Sequence, residues 1–249
     1  MSALILALVA GAVVGLALGA LGGGGSVLAV PALIYLLGFT PAAATTASLV
    51  IVTATSATAL YTHALAGHVR WKAGAAFAAA GILPAALAGA AAARLPQAAL
   101  TVAFAAVAAL AAARMLRPAD TAGATGGGVR PGRAAGTGAG LGALTGLLGV
   151  GGGFLAVPAL VTVLAFEMQA AVGTSLLVIT VNSLASLATR SGAAFSLDWA
   201  VIGPFIGAAI LGAWDGKRLA ARVSGPRLQR LFAFLLLAVA AFMLADALT

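Results

Sequence analysis

The chain has no cysteine, little charge and few aromatic residues: 5 acidic, 13 basic and 2 histidine side chains among 249 residues, with 6% Phe, Trp and Tyr. Without cysteine there is no disulfide, thiolate metal site, Fe–S cluster or Cys nucleophile. Charged residues make up 7% of the chain, against roughly 25% in a soluble domain, so most of its outer surface has to face something other than water. That excludes a soluble enzyme and a disordered chain. The net charge of +8 does not mark a nucleic-acid binder, because the basic residues sit at the ends of apolar runs, where the positive-inside rule places them. Mid-run carboxylate pairs, HExxH, GxSxG and GxxxxGK[ST] are all missing. No enzyme, metal site or cofactor is therefore expected. The first apolar run lacks a basic leader, so a cleaved signal peptide is not expected.

What the chain does have is apolar length. Hydrophobic residues are 63% of it and the mean hydropathy is +1.15. The expected fold is an all-α polytopic membrane protein embedded in a lipid bilayer. Ten apolar runs can be counted, most of them near the roughly 20 residues that span a bilayer. Two are too short to cross comfortably: those opening at Ser26 and at Gly153 cover about 13 residues each, roughly 20 Å of helix. They read as half-helices. One stretch, 117–134, is rich in Gly, Pro and Arg and reads as a cytoplasmic linker. It separates a first repeat, 1–116, from a second, 135–249.

The two halves match. LAVPAL occurs at Leu28–Leu33 and again at Leu155–Leu160, 127 residues later, and the same offset carries Phe39 onto Phe166, Ser48 onto Ser175 and Ser56 onto Ser183. After one added residue, Trp71 falls on Trp199. Basic clusters lie at His68–Lys72, at Arg114–Arg133 and at Lys217–Arg230. If all three face the cytoplasm, equivalent loops of the halves lie on opposite sides. The expectation is two inverted repeats, each with a glycine-broken helix and a half-helix, and both termini outside the cytoplasm.

Two glycine clusters carry the functional expectation: Gly22, Gly23, Gly24 and Gly25 leading into Ser26, and Gly149, Gly151, Gly152 and Gly153. Glycine at this density breaks a helix and admits close backbone approach. The next helix then presents its unpaired amides and positive dipole end to the break, a ready anion site. The competing reading is that these glycines only permit tight helix crossing. Gly11, Gly15, Gly19 and Gly138, Gly142, Gly146, spaced by four, read as packing stripes. The third run of each half is rich in hydroxyls. Ser48, Thr174, Ser175 and Asn182 are candidates to line the substrate path, against the alternative that such hydroxyls bond back to their own helix. His63 and Arg190 occupy equivalent slots and are candidate gating or proton-relay residues. Trp71 and Trp199 read as interface anchors, Asp198 as a helix cap, and Glu167 as a loop charge.

The glycine cluster running into a short LAVPAL helix, repeated once after a basic linker, resembles the TauE/SafE sulfite exporter family (the TSUP membrane permeases). Gly173–Leu176, Ser196–Trp199 and the basic run into Arg227–Leu237 carry the likeness further, over nearly the whole chain. The first half departs from it at Thr45–Ser48 and at Val69–Trp71. The resemblance implies export of sulfite or a small organosulfonate such as sulfoacetate across the bacterial inner membrane, with Gly22–Ser26 and Gly149–Gly153 at the substrate path. The expectation is a secondary transporter with a small anionic substrate held between paired half-helix N-termini near the membrane midplane. A small-anion channel and a non-transporting assembly subunit remain alternatives. Which sulfur anion, which coupling ion and which oligomeric state do not follow from the sequence.

Overall fold

The computed structural model describes residues 2–92, 96–116, 131–148, 153–190 and 198–248, and these residues hold ten α-helices and no strand. In chain order the helices are α1 Ser2–Leu21, α2 Gly24–Pro31, α3 Pro41–Leu65, α4 Trp71–Ala92, α5 Gln97–Leu116, α6 Pro131–Leu148, α7 Gly153–Thr162, α8 Met168–Arg190, α9 Trp199–Ala221 and α10 Gly225–Leu248. A π-helical turn, Ala32–Leu36, prolongs α2, so the first short run is a half-helix of the expected length. Helix α6 starts inside the stretch read as linker, at Pro131, where proline suits the first helical turn.

Among the described residues, six helices (α1, α3, α4, α8, α9 and α10) contain stretches of 18 to 23 residues apolar enough to cross a bilayer. Large apolar side chains such as Ile5, Val9, Leu83, Leu87, Leu211 and Phe234 lie on the outside of the molecule. A soluble protein would not leave so much apolar surface open, whereas a lipid-facing one must.

Local sequence explains the helix ends. Thr40 caps α3 by accepting from the Ala43 amide at 3.4 Å, with Pro41 in the first turn. Asp198 caps α9 through the Ala200 amide at 3.1 Å, as the sequence indicated. Trp71 and Trp199 open their helices with exposed rings, the placement expected of interface anchors. After each short helix the chain turns in the same way: Phe39 N–H donates to Leu33 O and Phe166 N–H to Leu160 O, both at 3.0 Å. The left-handed residue of that turn is Gly38 (φ 69°) in the first half and Ala165 (φ 53°) in the second.

The repeat visible in the sequence recurs in the packing, and it is crossed between halves. Helix α1 packs on α9, and its counterpart α6 packs on α4. Gly11 meets the Phe205 backbone and Gly15 that of Ala209; equivalently, Gly138 meets the Phe77 backbone and Gly142 that of Gly81. No side chain fits at these contacts, which is the packing role expected of the two stripes. Helices α3 and α8, the hydroxyl-rich pair, run side by side at the centre. Ser56 Oγ and Thr180 Oγ1 share a hydrogen bond of 2.9 Å midway along them. Gly173 and Thr174 at the start of α8 meet His68 and Arg70 just past the end of α3, so the two helices are antiparallel.

A polar cluster at the first glycine break

The break between α1 and α2 is a built feature. Gly22 closes α1 by donating to Leu18 O at 2.8 Å and takes φ 72°, a conformation that costs an ordinary residue roughly 1–2 kcal/mol. There is no room for a side chain. A methyl on Gly22 would come within 2.5 Å of Ser175 Oγ, 3.1 Å of Val157 Cγ2 and 3.3 Å of Val172 Cα. Gly25 has a different reason: its position faces Val14 and Leu18 of α1, so α2 folds back flat against α1. That second contact is plain packing. The N-cap of α2, Gly23, supplies no side-chain cap to the amides behind it, which belong to Gly24, Gly25 and Ser26.

Around Gly22 the structure gathers polar groups from both halves. Thr174 and Ser175 at the start of α8 are fully buried. Thr174 Oγ1 accepts from the Arg70 amide at 3.1 Å, and Ser175 Oγ donates to Val172 O at 2.8 Å. His63, near the end of α3, is 3% exposed and places Nε2 at 3.3 Å from the Gly19 carbonyl. Its ring centroid lies 5.9 Å from that of His68. The Nδ1 atoms of both rings are buried without a hydrogen-bond partner. Lys217 reaches in from α9 and donates to Thr62 O at 2.5 Å, offsetting the negative carbonyl end of α3. Three basic groups thus stand at one break, and none of the carboxylates whose side chains are described joins them: Glu167 is exposed, Asp198 caps α9, and Asp215 pairs with Arg218 on the surface.

Of the residues singled out from sequence, the structure brings Gly22, His63, Thr174 and Ser175 together here. Ser48, the counterpart of Ser175, lies toward the other end of α3 and bonds back to Thr45 O at 2.8 Å. Arg190 ends α8, far from Thr174. Gly153 opens α7, while Gly149, Gly151 and Gly152 lie outside the described residues. Asn182 is seven residues past Ser175, about 10 Å along the helix. It lines a cavity of about 10 Å³ between α4, α6 and α8, with Phe77, Gly81, Gly138 and Val178. Its Oδ1 is buried there without a partner. Most other hydroxyls of the stripe bond back to their own helix: Thr53 to Leu49 O, Thr55 to Ile51 O, Thr58 to Ala54 O and Thr180 to Leu176 O, at 2.6 to 2.8 Å.

Sequence reasoning missed His68 and Lys217. His68 carried a faint signal, being one of two histidines and five residues after the other. Lys217 carried none, since it read as one member of a basic cluster and its partner Thr62 is 155 residues away.

The family model described as Sulfite exporter TauE/SafE matches residues 7–243. The chain belongs to the TauE/SafE family. Two relatives from Xylella fastidiosa, strains 9a5c and Temecula1, are each described as a probable membrane transporter protein. They are 35% and 34% identical over 249 residues, covering 97% of this chain and 95% of each relative. No solved structure matches it. With six of the described helices able to span a bilayer, this TauE/SafE chain is a multi-pass membrane protein of a transporter family.

Proposed function

We propose that the chain is a secondary transporter exporting sulfite or a small organosulfonate across the bacterial inner membrane. The observation that carries the reading is the first glycine break. There the N-terminus of α2, Lys217 and two histidines converge with hydroxyls of the opposite half, and Glu167, Asp198 and Asp215, the carboxylates whose side chains are described, lie elsewhere. Such a site favours an oxyanion over a cation or a neutral solute. The second break, Gly149–Gly153, is its counterpart by sequence. Paired half-helix ends would hold the anion between the halves without a permanent ion pair deep in the membrane.

The halves are read as inverted repeats. Helices α3 and α8 are counterparts that run antiparallel, so an axis exchanging them is perpendicular to both. For membrane-spanning helices that axis lies in the membrane plane, the arrangement that lets two halves alternate access to one site. Domain limits at 1–116 and 135–249, and both termini on the extracytoplasmic side, complete the reading. Arg190 would then serve the second half as a gating residue where the first half has His63.

Counterflow tests it. Proteoliposomes preloaded with sulfite, with sulfate, sulfoacetate and chloride as competitors, are expected to show saturable exchange inhibited by sulfur oxyanions. Non-saturating flux with conductance would instead mean a channel, and no exchange by folded protein would overturn transport of these anions. A single cysteine placed at Ser2 of this cysteine-free chain is expected to react with an impermeant maleimide applied outside the cytoplasm.

A further inference from the structure

We propose that His63 and His68 form one proton-binding site at the first break, so that the anion crosses in company with a proton. This rests on the transport reading and names its coupling ion. A carbonyl can only accept, so the Gly19 oxygen fixes the proton of neutral His63 on Nε2, 3.3 Å away. That leaves Nδ1 as a bare lone pair, buried and without a partner. Beside it stands the His68 ring, tilted by 54° at a centroid distance of 5.9 Å, whose Nδ1 is equally buried and unpartnered. A buried lone pair with no donor is costly to maintain unless something occupies it in the working cycle. A proton is the smallest such occupant.

The surroundings set the sign of the coupling. The titratable and charged groups facing His63 are His68, from the turn after α3, and Lys217, from α9. Helix α1 presents the Gly19 carbonyl, and α8 presents the Thr174 and Ser175 hydroxyls. Arg70, in the same turn as His68, is exposed. A proton arriving on the pair adds a second positive charge beside the Lys217 ammonium, away from water, and this is unfavourable in isolation. An oxyanion in the break cancels that charge and accepts the new N–H. Each ligand therefore raises the occupancy of the other, and by linkage the effect is reciprocal. A single added proton on the pair is enough for this coupling. One proton and one monoanion enter together and leave together, with no net charge moved and no bond in the anion broken. The second half has no equivalent device, because Arg190, the counterpart of His63, keeps its proton throughout.

The experiment follows internal pH with an entrapped dye while sulfite flows down its gradient into empty proteoliposomes of wild type, His63→Gln and His68→Gln. In wild type, protons are expected to move in the direction of the anion at a ratio of about one. In both folded variants that ratio falls towards zero. Sulfite flux without proton movement in wild type, or unchanged ratios in both variants, overturns the pair while leaving an anion transporter. A second measurement needs no flux: ¹⁵N-histidine NMR of the full chain in nanodiscs at fixed neutral pH. Sulfite is expected to increase the fraction of His63 bearing protons on both ring nitrogens. No change there overturns the proposal. An increase in a protein that exchanges no anion keeps the pair and overturns the transport reading instead.

Discussion

Three glycines of the first half take positive φ: Gly22 (72°), Gly38 (69°) and Gly67 (73°). Together they separate backbone strain from contact. A methyl added at Gly38 or Gly67 meets nothing within 4 Å, whereas at Gly22 it meets Ser175 Oγ at 2.5 Å and Val157 Cγ2 at 3.1 Å. Gly→Ala at Gly38 and Gly67 should therefore cost only the left-handed backbone term, roughly 1–2 kcal/mol. Gly22→Ala carries the same term plus overpacking against α7 and α8, a further 1–3 kcal/mol or so. Equilibrium unfolding in mixed micelles, titrated with SDS, would measure all three variants against wild type. Ser175→Ala in the Gly22→Ala background should restore part of the extra cost, because it removes the nearest atom. Only Gly22→Ala should also depress sulfite exchange. If the three glycines cost the same, Gly22 does not pack against α8, and the cluster assembled around it is wrong.

Ala165 holds the left-handed turn that Gly38 holds in the other half, so Ala165→Gly should stabilise the protein by about 1 kcal/mol, read in the same unfolding assay. Ser26→Asp places a fixed negative charge in the first turn of α2 and should reduce sulfite exchange by about tenfold or more, with stability unchanged or improved by the helix dipole. Lys217→Gln removes the cation that bonds the end of α3; the KM for sulfite should rise several-fold, about 1 kcal/mol of lost attraction. Arg222 is an exposed residue at the C-terminal end of α9, and Arg222→Ala should leave exchange near wild type. A loss there at unchanged stability would place a basic vestibule further out than the first break.

The fold was legible because bilayer physics is written in local composition. The runs at Gln97–Leu116 and Trp199 onward coincide with α5 and α9, since apolar length and the Trp and Asp signals at their ends are short-range features. The stripes of glycines spaced by four were legible as packing for the same reason, yet their partners were not: nothing local says that Gly15 meets Ala209 or that Gly142 meets Gly81. The site divided along that line. Gly22 and Ser175 stood out by composition and by repeat, and they do meet. Asn182 stood out as a polar residue in an apolar helix, but its helix turns it toward α4 and α6. Lys217 was hidden because its reach to Thr62 depends on the crossed packing of α9 against the first half.

That crossed packing is equivalent in the two halves but not equally tight, and the difference bears on how such a molecule moves. Along α1 and α9 glycine faces backbone from both sides: Gly11, Gly15 and Gly19 against Phe205, Ala209 and Ala213, and Gly212 and Gly216 against Ala12, Leu16 and Ala20. Along α4 and α6 the counterpart of Gly212 is Pro84, inside α4, where it cannot donate to the helix ladder. The counterpart of Ala209 is Gly81, and beside it the small cavity and the unpartnered Asn182 Oδ1 interrupt the seam. Alternating access between two halves requires some helix pairs to slide, and the pair beside a cavity and an unsatisfied polar atom costs less to open. The α4–α6 seam should therefore open before the α1–α9 seam. Hydrogen exchange in nanodiscs should show faster exchange at α6 than at α1, with Asn182→Leu, which fills the cavity and removes the orphan oxygen, narrowing the gap. Equal protection of α1 and α6 would mean that the two seams move as one, and that the departures from symmetry at Gly81 and Asn182 have no part in the motion.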